Sequence, residues 1–542
     1  MKKVTPILIF LLVVQTATAQ LFTWARSVGG VYSDEAWSIS AQPSGTCFVG
    51  GRFYSPCLFD TIQLSLPDTN NAFVSKYSDA GAALWVKYFP TPGNSYGTVS
   101  GVAAAIDGGC FITGSWTDSI WLDSTLFVEN GISDPFFARL NENGSVIWAK
   151  RGIGRTWYDA GTAVEANQLG DVYFSGYYND TLTIDTATLI SLGGSYSSFL
   201  AKFDSLGNLL WLNNIQGDGC FLNDMALDSK GFVLVTGGFS SNAIFDTVQI
   251  TSQGNRDIFI AKYDSTGRFL WVKQYGGGTE GNGNGIDVCP NSDILITGSY
   301  TAPYATIDTI TIPYLSGDDF SGFVARFDQS GNVKWVNYQS SVNGDVWNSK
   351  IHSINGNTIY FSGFYYDSLF CSNGGFREAG PASYLAACDK DGNMIWVKKI
   401  ERGESIDFSL DAIERLYVSG NFRDSIFLLP YQFTGQGNLD FFFAQLGAST
   451  VNVQQTGESK ELLLSPNPSN GNFVVRITDG KFENTLFQLY DMLGTLVLQQ
   501  QFSAILQSQK IEFNLKKELK PGLYTLVLLN REKKYVKRIV LE

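Results

Sequence analysis

Seven tryptophans, Trp24, Trp85, Trp148, Trp211, Trp271, Trp335 and Trp396, recur at intervals of 61, 63, 63, 60, 64 and 61 residues. A period this regular marks repeated units stacked into one body rather than several separate cores. Four strand-like runs follow one another within each period. In the third they read AGTAVEA (160–166), DVYFSGYY (171–178), SSFLAKFD (197–204) and NLLWLNNI (208–215). Apolar and aromatic residues recur in each run, with turn residues between. The last two runs are joined by D-x-x-G, as in DSLGN, DSTGR, DQSGN and DKDGN, with NENGS and SDAGA as variants. Asp can bond the backbone two residues on and Gly accepts a positive φ, so this is hairpin chemistry. DKDGN (389–393) lacks the further oxygen ligands of a calcium loop, and no metal site is read there.

Four antiparallel strands per period describe a blade of a β-propeller. The runs that precede the tryptophan strands are AFVSKY (72–77), FFARL (136–140), SFLAKF (198–203), IFIAKY (258–263), GFVARF (322–327), SYLAAC (383–388) and DFFFAQL (440–446). The seventh has no tryptophan strand after it, and the first tryptophan strand, LFTWARSVGG (21–30), has no partner before it. Two unpaired sheet edges would be a liability. Pairing 21–30 with 440–446 removes both, and the expectation is an all-β, seven-bladed propeller of four-stranded blades, its ring closed by the N-terminal strand. The pieces GDVYFSG, DIFIAKYD and LLWLNN resemble the bacterial β-propeller repeat family over residues 21–446. That resemblance implies the fold and no particular ligand.

Lys2 and Lys3, an apolar run from Val4 to Val14 and Ala17-Thr18-Ala19 read as a secretory signal peptide, residues 1–19. No later run is long enough to span a membrane, so no transmembrane segment is expected in the mature chain. The seven cysteines (47, 57, 110, 220, 289, 371, 388) show no repeated spacing, so packing explains most of them. A Cys47–Cys57 bridge stays open as an alternative. The net charge is −13; residues 451–542 carry 12 Lys+Arg against 9 Asp+Glu, which leaves −16 on the rest. So acidic a body disfavours nucleic acid as a partner.

With strands lettered a to d outward from the axis, the short a–b and c–d turns share one face. The long, irregular b–c and d–a loops share the other, where binding usually resides. Asp34, Asp159, Asp224, Asn284 and Asp407 are expected in d–a loops just before strand a, with Tyr32, Trp37, Trp157, Tyr158 and Trp347 nearby. They form a candidate polar, aromatic mouth for a glycan, peptide or cation; the alternative is that the acids bond turns and the rings pack between blades. Enzyme chemistry is poorly supported. His352 is the only histidine, and no HExxH, CxxC or P-loop is present. No catalytic residue, metal or cofactor is assigned. Paired carboxylates for a carbohydrate-active hydrolase or lyase remain the alternative function. A second recurrence, FDTIQL, LDSTLF, IDTATL, FDTVQI and IDTITI, places Thr61, Ser124, Thr186, Thr247 and Thr309 after an Asp. A turn is a sufficient cause. The triplets also resemble the O-glycosylation sequon of Bacteroidetes.

After a polar linker (447–461) the pattern changes to strand runs with P-N-P, D-x-x-G and P-G breaks, which suggests a small β-sandwich over 462–542. Pro466, Asn467, Pro468, Gly471 and Phe473, then Asp491 and Gly494 in the YDMLG turn, then Gly522 and Tyr524 in PGLY, closely resemble the type A C-terminal sorting domain of the type IX secretion system. The resemblance implies recognition by that machinery in the periplasm, cleavage near the linker, and release or attachment at the outer-membrane cell surface. The expectation is therefore a monomeric, secreted or surface-displayed binding or adhesion scaffold, with the propeller over 20–446.

Overall fold

The computed structural model describes residues 21–447, apart from 67–69, 94, 130, 156–157, 193–194, 279, 302–303, 314–319, 342–343 and 372–373, together with strands and one bridge residue between 462 and 541. They belong to two compact units, one of Leu21–Gly447 and one containing the C-terminal strands. Every regular element described is a β-strand.

In the first unit, Glu35–Ala41, Cys47–Tyr54, Asn70–Tyr77 and Ala83–Phe89 pair antiparallel, in that order, as strands a to d of blade 1. Among the described residues the ladders sort into seven such four-stranded sets. Leu209–Leu227 serves as d of the third and a of the fourth, and Met394–Leu410 joins the sixth to the seventh in the same way. Strand d of the seventh is Phe22–Gly30, paired to Asp440–Leu446 with Trp24 opposite Gln445 and Val28 opposite Phe441. The a strands neighbour one another around the whole circle, so the ring closes.

Blades stack face to face, which explains the sequence of their middle strands. Asn70–Tyr77 and Asp257–Tyr263 are buried at every position. Apolar side chains gather in seven clusters, each shared by two adjacent blades. The closing cluster joins Trp24, Phe441 and Phe443 to Val49, Phe53 and Phe73. All seven cysteines are free, so the Cys47–Cys57 bridge is not formed; both thiols are buried in this packing.

The recurring tryptophan clasps the next blade. Its indole N–H donates to a carbonyl of that blade's c–d turn: Trp24 to Asp79 (2.9 Å), Trp85 to Glu142 (2.8 Å), Trp148 to Ser205 (3.2 Å), Trp211 to Ser265 (3.3 Å) and Trp335 to Lys390 (2.9 Å). The turn glycine lies against the ring. At Gly207, φ is +84° and a Cβ would come within 2.8 Å of Trp148. This contact is why W and D-x-x-G share one period. Trp271 packs its ring on Gly331 without the indole bond, and Trp396 has neither contact. The c and d strands of blade 7 come from opposite ends of the ring, no c–d turn links them, and the Trp396 Nε1 is buried without a partner.

The D-[ST] segments were expected as a turn leading into one β run. They are complete hairpins, such as Cys57–Phe59 with Ile62–Leu64 and Thr181–Ile184 with Ala187–Ile190. Asp60, Asp123, Asp185, Asp246 and Asp308 sit at their tips with φ of +51° to +56°, a region Asp tolerates. The carboxylates of Asp60, Asp123 and Asp308 accept the N–H that opens strand d of their own blade. Among the described residues, four of these hairpins also pair with strand d of the blade before or with the residue that follows it, at Gly29–Leu58, Gly152–Ile184, Ile215–Phe245 and Gly276–Thr306. They tie neighbouring blades at the rim.

The second unit is a β-sandwich of a three-stranded and a four-stranded sheet. Phe473, Val475, Phe487, Leu489, Phe513, Tyr524 and Leu526 fill its core. Gly522 opens a strand. Pro466, Asn467, Pro468, Gly471, Asp491 and Gly494 lie outside the described residues.

Candidate functional site

Each inner strand breaks register with strand b at the same level. The residues left unpaired are Trp37, Ser100, Thr162, Asn223, Asn284, the pair Ser349–Lys350, and Glu404. A β-bulge re-aims its side chain. All of these except Glu404 line a central cavity of ≈ 790 Å³, with Ser38, Ser40, Glu165, His352 and Asp407. The lining also bonds blade to blade. Ser38 and Ser40 accept the N–H groups of Val102 and Ala104, and the Asn284 amide donates to the Asn348 carbonyl. Bulge residues escaped the sequence reading because a bulge exists only relative to a known ladder register.

Charged side chains from several blades converge in the cavity. Lys350 Nζ lies 3.1 and 3.2 Å from the two oxygens of Asp224. Asp224 also accepts the Ile286 N–H, and Asp407 accepts those of Ile39 and Phe408. Burial would lower the Lys350 ammonium, but Asp224, Asp407 and Glu165 together raise it above its ordinary range. Burial would also lower the His352 imidazole; Asp287, 3.0 Å from its Nδ1, outweighs this and raises it. Burial, only partly offset by Lys350, pushes Glu165 up to about 7. Most of these acids therefore have structural partners, and His352 faces a carboxylate rather than a nucleophile. Among the described residues no three His, Cys, Asp or Glu side chains come together in a metal-holding arrangement.

The structure separates the expected mouth residues into three groups. Tyr32, Trp37 and Tyr158 are exposed, at 45%, 44% and 49%. Trp347 is half-buried and stacks on Phe364 (6.0 Å between centroids). Trp157 lies outside the described residues. Asp224, Asn284 and Asp407 line the cavity below the rim. Asp34 and Asp159 are fully buried, each accepting one N–H at the end of strand b, from Tyr54 and Asn179. Burial pushes Asp34 up to about 7, and Asp159 up to about 8 with help from Asp134 and Asp180. These two acids shape the d–a loops and present no surface to a ligand. Thr61, Ser124, Thr186, Thr247 and Thr309 are all exposed, beside the Asp at each hairpin tip.

Comparison with known proteins bears mainly on the C-terminal unit. Residues 464–542 match the secretion system C-terminal sorting domain. An uncharacterized WD repeat-containing protein of Acanthamoeba polyphaga mimivirus is 22% identical over 394 residues, 58% of this chain and 28% of that protein. The regulatory protein FlaEY of Caulobacter vibrioides is 22% identical over 260 residues, 46% of this chain and 26% of that one. The chain thus spans about a quarter of the length of the curated relatives it matches. Among solved structures, the type IX secretion component PorZ of Porphyromonas gingivalis aligns over 97% of this chain and 86% of its own, at 9% identity and a TM-score of 0.15. A glycoside hydrolase family 32 protein of Bifidobacterium adolescentis aligns over 96% and 95%, at 9% identity and a TM-score of 0.26. Neither alignment bears on a ligand or a reaction. Among the described residues no helix is long and apolar enough to cross a membrane. The chain carries a type IX C-terminal sorting domain at 464–542, which marks it as a secreted or cell-surface protein.

Proposed function

We propose that this exported chain is a monomeric binding or adhesion scaffold whose ligand enters at the long-loop mouth of the propeller. The observation that carries the reading is the convergence of seven bulged inner strands on one polar cavity beneath an exposed aromatic rim. Tyr32, Trp37 and Tyr158 meet the ligand first, with Asn284, Asp224 and Asp407 below them. A hydrolase or lyase would need carboxylates free to act on substrate, whereas Asp224 and Asp407 are engaged with Lys350 and with backbone. Immobilised protein screened against glycan and protein arrays, in parallel with a hydrolase and lyase panel, tests the reading. Binding that weakens in Trp37→Ala without turnover is the expected result; turnover that is lost in Asp224→Asn would replace the scaffold by the enzyme.

The hairpin-tip hydroxyls of Thr61, Ser124, Thr186, Thr247 and Thr309 are proposed as O-glycosylation positions on the rim. Their exposure supports this. Intact mass of the native protein, with no hexose-scale additions, would dismiss it.

A further inference from the structure

We infer that the mouth takes a neutral polysaccharide, laid along an arc of aromatic rings that crosses blades 1 to 4. This rests on the mouth-binding reading above and adds the chemical class of the ligand and its path.

The arc is assembled from distant parts of the chain. At one end Arg52 lies 5.8 Å from the centre of the Trp37 ring and 6.0 Å from that of Tyr96. At the other, Tyr177, Tyr196 and Phe221 form a triangle with centroids 5.3 to 5.6 Å apart, and Arg256 lies 5.1 Å over Phe221. Tyr96 leads into strand a of blade 2 and Tyr177 lies at the b–c end of strand b of blade 3, on the same face of neighbouring blades. Burial, then the hydroxyls of Tyr96 and Tyr196 and the Asp159 carboxylate, raise the Tyr177 hydroxyl above its ordinary range. Gly238 leaves room for Arg256 and Asn282, since a Cβ there would meet both within 2.9 Å. Asn282 is linked to Asn223 and Asn284 by side-chain hydrogen bonds of 3.1 and 2.8 Å. All these residues lie at the b–c and d–a ends of their strands, around one side of the mouth.

The charges select the class. Glu35 is spent on Arg52, with contacts of 2.6 and 3.1 Å, and also accepts the Trp37 indole N–H at 3.0 Å. Glu35, the carboxylate within the arc, is thus engaged, and exposed Asp218 and Glu280 stand outside the rings at its Arg256 end. A polyanion needs a basic field, and Arg256 alone does not supply one on a body of net charge −16. What remains is a row of rings, Trp37 exposed and Tyr96, Tyr177, Tyr196 and Phe221 half-buried, bordered by amide and guanidinium donors. Sugar C–H faces pack on such rings while hydroxyls take the donors, the mix of apolar area and placed polar groups that binding sites use.

The test is native affinity electrophoresis of the full chain through gels holding xylan, laminarin or mixed-linkage β-glucan, with polygalacturonate and gelatin gels beside them. Retardation by at least one neutral polysaccharide is expected. It should weaken about tenfold or more, about 1.4 kcal/mol, in Trp37→Ala and in Tyr196→Ala, and stay unchanged in Tyr304→Ala, an exposed ring off the arc. Melting curves check folding, and Trp37→Ala decides if Tyr196→Ala unfolds. Retardation by polygalacturonate or gelatin alone would overturn the neutral-glycan class and leave mouth binding standing. Retardation indifferent to both substitutions would overturn the arc. No retardation in any gel would overturn the inference, and a blank protein array besides would take the mouth reading with it.

Discussion

Lys350 of blade 6 reaches past blade 5 to hold Asp224 of blade 4, with Nζ 3.1 and 3.2 Å from the two carboxylate oxygens. Blade 5 permits this because Gly285 has no side chain; a Cβ there would stand 3.1 Å from the Lys350 Cα. The ammonium also offsets Asp407 and Glu165. Lys350→Met should therefore cost about 3–5 kcal/mol, read from denaturant unfolding, and part of the loss should return in Lys350→Met/Asp224→Asn. A single substitution without effect would mean that water, rather than Lys350, neutralises the cluster.

The tryptophan clasp predicts unequal effects from one chemical change. Trp148→Phe removes a donor that the Ser205 carbonyl uses and should cost about 1 kcal/mol. Trp396→Phe removes a buried N–H that has no acceptor, so it should be neutral or stabilising. Equal losses of melting temperature in the two variants would contradict the assignment of the clasp.

Stability should fall as pH rises through neutrality. Asp34 and Asp159 have folded values of about 7 and about 8, above the unfolded carboxylate value. The folded state therefore holds protons that the unfolded chain has already released. The stability they contribute is complete below about pH 4 and lost as pH climbs through 7 to 8. Asp34→Asn and Asp159→Asn should each flatten the decline between pH 5 and 9 in melting scans. A wild-type profile that rises over that window would show these carboxyls to be ionised in the fold.

Removing residues 21–30 should lower the melting temperature far more than trimming an ordinary terminus. The deletion takes Trp24 and Val28 from the closing cluster and bares the edge of Asp440–Leu446. Light scattering should show association through that edge. A deletion that melts like the full ring would disprove the closure.

Deleting residues 462–542 removes the sorting domain. Fractionation should then find the propeller retained in the periplasm, still folded. Unchanged delivery to the surface or medium would place the export signal elsewhere.

The repeat, the ring closure and the sorting domain could be read directly from the residues, because each rests on spacing. Trp24 and Phe441 are far apart in sequence, yet counting unpaired halves was enough to join them. The mouth was legible only in part. Asp34 and Asp159 look like Asp224 in sequence, but whether a loop acid turns inward depends on the N–H groups awaiting it, here those of Tyr54 and Asn179. The arc residues Arg52 and Tyr177 did leave a signal. Each follows the glycine of strand b, as do Ser115, Gly238, Ser299, Phe364 and Asn421. That one place varies freely within an otherwise regular repeat, as expected where a scaffold adapts its surface and leaves its packing alone.

Ring closure also decides on which face of the propeller the two ends of the ring emerge. Strand c of blade 7 ends at Leu446 and strand d begins at Phe22, and the Gly447 N–H donates to the Leu21 carbonyl between them. Both ends of the ring thus emerge side by side on the short-turn face. A tether at Gly447 is therefore attached to the face opposite the long-loop mouth.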